Sequence, residues 1–122
     1  MALTKAKILE ANDIKLKELD MSQEWGGTVY IRTITGTERD QFEDSYAEQK
    51  MRGFRVRFLV LTLCDDKGDR LFSDGDAELL GKKSSASINK AFDAAWSHNA
   101  FTPEAVNELG NDSPGDQNAS ST

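Results

Sequence analysis

The stretch TVYIRTI, residues 28–34, decides the fold class of this chain. It is rich in β-branched and aromatic residues, and its side chains alternate between two faces, as in a strand. The two faces are Val29, Ile31 and Thr33 on one side, and Tyr30, Arg32 and Ile34 on the other. A shorter alternating run, IKLK at residues 14–17, precedes it, and Trp25-Gly26-Gly27 can supply a bulge or tight bend between the two. Residues 13–34 are therefore predicted to form an antiparallel β-hairpin or small meander.

Helices are predicted on the C-terminal side of this β element. Thr37 can cap a helix that has Asp40 at its third position and ends near Gly53, with Phe42 and Tyr46 on one face. Residues 54–64 are ambiguous, because their apolar side chains fit both the alternation of a strand and the spacing of a helix. The run is long for a strand and ordinary for a buried helix, so a helix is predicted there.

The clearest amphipathic helix is predicted at residues 85–99, with Ser84 or Ser85 as its cap. Its inward face has the spacing i, i+3, i+4, i+7, i+8 and i+11: Ile88, Ala91, Phe92, Ala95, Trp96 and Asn99. Three shorter helices are also expected. They cover residues 3–12, with Leu3, Ile8 and Leu9 on one face; residues 73–81, from a Ser73 cap with Asp76 to Gly81 as C′ residue; and residues 102–109, with Pro103 at the first position and Val106 and Leu109 inward.

These elements predict the α+β class and the domain limits. A small N-terminal antiparallel hairpin or meander should be followed by a cluster of about four to five helices. We expect one domain over residues 1–109. Residues 110–122 contain nothing to bury and are expected to form a disordered, flexible polar tail.

The composition excludes several classes of protein. The 122 residues suit one domain and carry a formal net charge of −6, which makes the chain a poor general binder of nucleic acid. A single Cys excludes a disulfide framework and a cysteine-rich zinc site. No apolar run approaches the ~20 residues of a membrane span, and the start lacks the apolar core of a signal peptide. We therefore expect a cytosolic protein without a membrane partner.

No combination of residues predicts an active site. The acids of residues 65–78 fail the calcium-loop pattern, whether it is started at Asp65 or at Asp69. Cys64 and His98 could pair as nucleophile and base, but no local signature accompanies them. Cys64 is expected to be a buried hydrophobe and His98 a capping or surface residue. We predict no catalysis, no cofactor and no metal site, so the protein should act by binding.

Five segments, taken in order, resemble the tail assembly chaperones of long, flexible-tailed bacteriophages and prophages. They are AKILEAND (6–13), EWGGTVYIR (24–32), TGTERDQFE (35–43), LVLTLCDDKG (59–68) and LFSDGDAELLG (71–81). The resemblance covers about residues 3–109 and depends on the EWGG block and on the order of all five segments. A Pro expected before Glu24 is Gln23 here.

The resemblance implies a role in tail construction. Members of this family bind the long tape-measure protein, keep it soluble and help recruit tail-tube subunits, and they are not retained in the finished virion. Many are also made in a longer form by ribosomal frameshifting, which would place the shift region from Gly110 onward here. For this chain the resemblance implies the host bacterial cytoplasm, a tape-measure partner and a tail-tube partner reached through a longer form. Because such a client is long, many copies should cover it and associate with one another.

A client-binding surface is predicted where aromatic and arginine residues cluster in an otherwise acidic chain. It comprises Trp25, Tyr30 and Phe54, bordered by Arg55 and Arg57. The other interpretation of Trp25 and Phe54 is that they belong to the core.

Two other functions are kept open. One is a small structural protein, such as a head–tail joining or tail-completion component, which would stay in the virion. The other is an enzyme that uses Cys64 and His98.

Overall fold

The computed structural model describes residues 2–99. The elements follow one another as α1 (Lys5–Glu10), β1 (Leu16–Met21), α2 (Ser22–Trp25), β2 (Gly27–Arg32), α3 (Gly36–Gln49), α4 (Phe54–Thr62), β3 (Leu63–Cys64), α5 (Ala77–Leu80) and α6 (Ser85–His98). A 3-10 turn, Asp74–Asp76, leads into α5. The predicted α+β class is confirmed. The helix predicted at residues 102–109 and the tail predicted at 110–122 lie outside the described residues, and none of the helices within 2–99 has the length and apolarity of a membrane span.

The predicted hairpin is formed by β1 and β2, which pair antiparallel from Leu16 opposite Arg32 to Met21 opposite Gly27. The alternation seen at residues 14–17 therefore marks the start of a strand that runs four residues further. Between the strands, the single turn of α2 ends at Gly26, whose φ of 86° is left-handed. Glycine adopts this conformation without steric cost, so the tight bend predicted at Trp25-Gly26-Gly27 is confirmed.

Residues 54–64 divide between a helix and a strand. The predicted helix is confirmed as α4, but its extension over Leu63 and Cys64 is wrong. These two residues pair antiparallel with Ile31 and Tyr30, which makes β2 the central strand of a three-stranded sheet. Their backbone groups are satisfied by a strand distant in sequence instead of by another helical turn, and periodicity within the segment carries no signal of that pairing.

Helix α3 begins two residues earlier than predicted, because Thr35 is its cap and not Thr37. The Thr35 hydroxyl accepts from the Glu38 N–H at 3.1 Å, and a Glu38 carboxylate oxygen accepts from the Thr35 N–H at 2.9 Å. A glutamate reaches back to the cap more readily than the shorter Asp40 would from Thr37. The helix ends at Gln49, and the turn over residues 50–53 leads directly into α4.

The second predicted cap is confirmed, and so is the predicted end of its helix at Leu80. Ser73 and Asp76 form a reciprocal capping box at the 3-10 turn before α5. Gly81 follows α5 with a φ of −64°, a right-handed value, where the left-handed conformation of a C′ glycine was expected. The reason is that the chain continues in right-handed turns, in which the N–H groups of Lys82 and Lys83 donate to Leu79 and Leu80.

The core lies where α4 and α6 pack on one face of the sheet. The strands contribute Met21, Ile31 and Leu63, and α4 contributes Phe58 and Leu59, all of them fully buried. The inward face predicted for α6 is confirmed. Its members are Ile88, Ala91 and Ala95, which are buried, and Phe92 and Trp96, which pack against the core.

Helix α6 is tied to the hairpin at two points. In its second turn, Lys90 Nζ lies 3.1 Å from each carboxylate oxygen of Glu24, next to the bend. At its end, His98 Nε2 donates to the Lys15 carbonyl at 2.9 Å, just before β1. Asn99 accepts from the Ile34 N–H at 2.9 Å. Helix α6 therefore spans the hairpin from the bend to the first strand pair.

Candidate partner-binding grooves

Cys64 and His98, the two residues considered as nucleophile and base, are each engaged in the packing or hydrogen bonding of the fold. Cys64 is buried in β3, and this burial raises the pKa of its thiol, which disfavours the reactive thiolate. The His98 ring is held by the Lys15 carbonyl. Within residues 2–99, no three His, Cys, Asp or Glu side chains gather as a metal site requires. The surface of residues 2–99 carries two grooves that could hold another protein.

A groove of about 450 Å³ lies beside Trp25. Two walls enclose it: α2 and β2 on one side, and the segment from residue 71 to Lys83 on the other. The lining residues are mostly apolar: Glu24, Trp25, Val29, Leu63, Leu71, Phe72, Leu80 and Lys83. We call this feature the Trp25 groove.

The second wall of the Trp25 groove is fixed by backbone and side-chain hydrogen bonds. Leu71 N–H donates to the Leu63 carbonyl at 3.0 Å, which places the segment alongside β3. Arg70 donates through Nε to the Val60 carbonyl at 3.0 Å and through Nη2 to Asp74 at 2.8 Å. Leu71, which lines the groove, is about half exposed (49%). The groove thus offers an apolar floor with an accessible apolar edge.

A second, shallower groove of about 280 Å³ lies along α4. Its lining residues include two basic side chains and no acidic one: Met51, Gly53, Phe54, Arg55, Val56, Gly81, Lys83, Ser85, Ile88 and Asn89. Met51 is 54% exposed at its edge. The Arg55 guanidinium lies 5.6 Å from the centroid of the Phe92 ring, a cation–π distance. We call this feature the α4 groove.

Phe54 belongs both to the α4 groove and to the aromatic packing behind it. Its ring centroid lies 5.1 Å from that of Phe42, 5.7 Å from Tyr46, 5.8 Å from Phe92 and 5.4 Å from Trp96. Phe54 therefore packs in this aromatic cluster and also lines the α4 groove.

The structure divides the five residues predicted as a client surface. Trp25 lines one groove, whereas Phe54 and Arg55 line the other, and Lys83 borders both. Tyr30 follows Val29 on β2 and so faces the opposite side of the sheet from the Trp25 groove.

Arg57 has a structural role in the turn between α3 and α4. Its Nη2 donates to the Lys50 carbonyl at 3.1 Å, and its guanidinium lies 5.9 Å from the Phe42 ring centroid. Burial lowers the pKa of Arg57 from its ordinary value. Arginine remains protonated at neutral pH even so.

Several groove residues were missed at the level of sequence. The second wall of the Trp25 groove depends on Leu71, Phe72 and Leu80, and the edge of the α4 groove depends on Met51. One signal was present, since Leu71-Phe72 is an apolar pair inside an acidic stretch. An apolar pair in such a stretch indicates that its side chains pack against other apolar groups.

Comparison with known proteins gives one likeness, and it lies in the fold. No family model and no curated protein sequence matches the chain. Among solved structures, the fold is similar to that of the tail assembly chaperone of bacteriophage HK97, with a TM-score of 0.59 and 15% sequence identity. The match covers 75% of this chain and 89% of that one. At this identity the likeness concerns the fold, and at that level it agrees with the resemblance carried by the five sequence segments.

Proposed function

We propose that this chain is a phage tail assembly chaperone that binds the tape-measure protein and keeps it soluble. The observation that carries the proposal is the shared fold with the HK97 tail assembly chaperone. The chain would act in the host bacterial cytoplasm, help recruit tail-tube subunits through a longer frameshifted form, and be absent from the mature virion. It would act by stoichiometric binding and without turnover.

The charge of the chain suits this role. A long, partly apolar client aggregates when its apolar face is bare, and a bound protein that covers this face prevents contact between clients. Each bound copy also adds its own net charge of −6, so that covered clients repel one another. Covering and charging a client in this way needs a binding surface and no catalytic group.

We place the client on the α4 groove. This groove contains two of the five residues predicted from the sequence, Phe54 and Arg55. Its floor is apolar, and Arg55 and Lys83 form a basic rim. A client helix with an apolar stripe flanked by acidic residues would bury the stripe on Phe54 and Met51 and pair its acids with the rim. Arg55 is an exposed residue of this rim, which makes it a suitable residue to change.

The test is co-expression of this chain with the long helical protein encoded downstream in the same genome. The soluble, co-purified amount of that protein should rise at least tenfold when the chain is present. The double variant Met51→Glu with Arg55→Glu should remove most of this gain. Arg52→Glu is the matched control. Arg52 is exposed, lies three residues before Arg55 in sequence and does not line the groove.

Two outcomes would overturn parts of the proposal. If the client is equally insoluble with and without the chain, the chaperone function is wrong. If the double variant solubilises it as well as the unchanged chain does, the location is wrong. Purified virions decide the remaining alternative, because a head–tail joining or tail-completion protein stays in the particle and a chaperone does not.

A further inference from the structure

The Trp25 groove and the α4 groove share a border, which is the short segment at the end of α5. Leu80 lines the first groove, Gly81 lines the second, and Lys83 lines both. The position of this segment is fixed by a turn in which the Lys83 N–H donates to the Leu80 carbonyl at 3.1 Å. Gly81 adds no side chain to it. The two grooves are therefore neighbours, with residues 80–83 between them.

The shared border carries a positive charge that the described chain does not neutralise. Lys83 is exposed, and no carboxylate of residues 2–99 forms an ion pair with it or with Arg55. The acidic side chain in the lining of the Trp25 groove is Glu24, and both of its oxygens are engaged by Lys90 at 3.1 Å. The charge that the two grooves offer to another molecule is therefore positive, in a protein whose formal net charge is −6.

We propose that one client helix occupies both grooves, with a client carboxylate facing Lys83 between them. This inference rests on the proposed function and adds the Trp25 groove to the client's binding surface. The occupant is a helix with two apolar patches separated by an acidic residue. One patch lies in the α4 groove, and the other packs on the floor that Trp25 and Phe72 provide. The acid between the patches meets the cation that both grooves share, so the partner is complementary in polarity and in charge.

The length of a client helix favours one occupant over two. A helix of about 20 residues is about 30 Å long, which is close to the diameter of a small domain. The α4 groove is the smaller of the two, at about 280 Å³, so a long helix that lies in it continues over the neighbouring surface. In the direction of Lys83 that surface is the Trp25 groove, of about 450 Å³. A separate partner in the Trp25 groove would compete with the client for Lys83.

Photo-cross-linking in cells that co-express the downstream-encoded client tests the shared occupancy. The photoreactive residue p-benzoylphenylalanine replaces Leu71 of the Trp25 groove in one variant and Met51 of the α4 groove in another. Both variants should cross-link to the client, at positions within about 20 residues of each other. Glu18 is the control position, because it is exposed and faces the other side of the sheet with Tyr30. If Met51 reaches the client while Leu71 reaches only its own chain, another copy or a different client region, the inference is wrong and the proposed function stands.

Charge reversal tests the role of Lys83. Lys83→Glu should lower the co-purified amount of client roughly tenfold, because it places like charges opposite one another. Lys82→Glu is the matched control, since Lys82 is exposed, makes the same change in net charge and lines neither groove. Added salt should also weaken client binding less in Lys83→Gln than in the unchanged chain, because the screened ion pair is already absent. Equal client yields from Lys83→Glu and Lys82→Glu would overturn the inference without affecting the solubility test of the unchanged chain.

Discussion

Arg32 and Glu38 form an ion pair below the surface, with Arg32 Nη2 2.6 Å from Glu38 Oε2 and side-chain exposures of 8% and 18%. The pair joins the end of the central strand to the first turn of α3, because Glu38 also completes the capping box with Thr35. Burial by itself raises the pKa of Glu38. The hydrogen bonds from Arg32 and Thr35 outweigh it, so the pKa lies below its ordinary value.

This ion pair predicts acid-sensitive stability. A carboxyl whose pKa is lower in the folded state stabilises the fold at pH values above its unfolded-state pKa, near 4.3, and this contribution is lost as the pH falls through the folded-state pKa. Glu38→Gln should therefore lower the free energy of unfolding at pH 7 by about 1–3 kcal/mol, since it removes a charged hydrogen-bond partner. It should also flatten the loss of stability below pH ~4.3. Urea unfolding at a series of pH values measures both effects.

The control for this prediction is Glu48→Gln. Glu48 is exposed on the same helix, and we expect its replacement to change neither stability nor the pH profile. Identical profiles for the two variants would contradict the assigned role of Glu38.

Asn99 predicts a second effect on stability. Its side chain accepts from the Ile34 N–H and donates to the carbonyl oxygens of Arg32 and Ala95. Asn99→Ala should cost about 1–3 kcal/mol, because partly buried backbone groups lose their partners. Asn99→Asp should also destabilise the fold at neutral pH, since a carboxylate cannot donate to the two carbonyls. Thermal unfolding compares these variants with Asn89→Ala, a change at an exposed residue that should be nearly neutral. Equal melting temperatures for Asn99→Ala and Asn89→Ala would refute the stabilising role of Asn99.

Gly26 and Gly27 are expected to respond differently to the same substitution. A Cβ at either position meets no atom within 4 Å, so contacts do not distinguish them. Gly26 has a φ of 86° and Gly27 lies in β2, so only Gly26→Ala forces a left-handed side-chain residue, at a cost of about 1–2 kcal/mol. Chemical denaturation should show a loss for Gly26→Ala and little change for Gly27→Ala. Similar losses of stability for both variants would mean that the left-handed conformation at Gly26 is not the cause of the loss.

The reactivity of the Cys64 thiol tests the alternative that the protein is an enzyme. Its thiol is buried and its pKa is raised by burial, so it should react with a thiol reagent at pH 8 at least ~100-fold more slowly in the folded chain than in the unfolded one. The absorbance of the released thiolate gives both rates. A fast reaction in the folded chain would reopen the possibility of a cysteine nucleophile.

The parts of the fold that could be predicted are those whose signal is local. The face of α6 repeats at helical spacing, and the alternation over residues 28–34 marks β2, so both follow from periodicity. The strand at Leu63 and Cys64 could not be predicted, because only its pairing with Tyr30 and Ile31 distinguishes it from the helix before it. Burial of Arg32 was missed for a similar reason, since its partner Glu38 lies across the turn into another element.

Some of the residues that line the two grooves could be identified from the sequence. Trp25, Phe54 and Arg55 stand out by residue type, and each lines a groove. Residue type could not show that Trp25 and Phe54 line different grooves, nor that Arg57 holds the turn before α4. Leu71 and Lys83 join Trp25 only through the packing of a segment some 50 residues away in sequence.

The hydrogen bond from His98 to the Lys15 carbonyl has a practical consequence for anyone who labels this protein. It brings the residue before the first strand and the last turn of α6 to the same pole of the domain, while the Trp25 bend lies at the opposite pole. Lys15 and Asn99 therefore lie at that shared pole. A fluorescent label attached at either residue would be held away from the Trp25 bend.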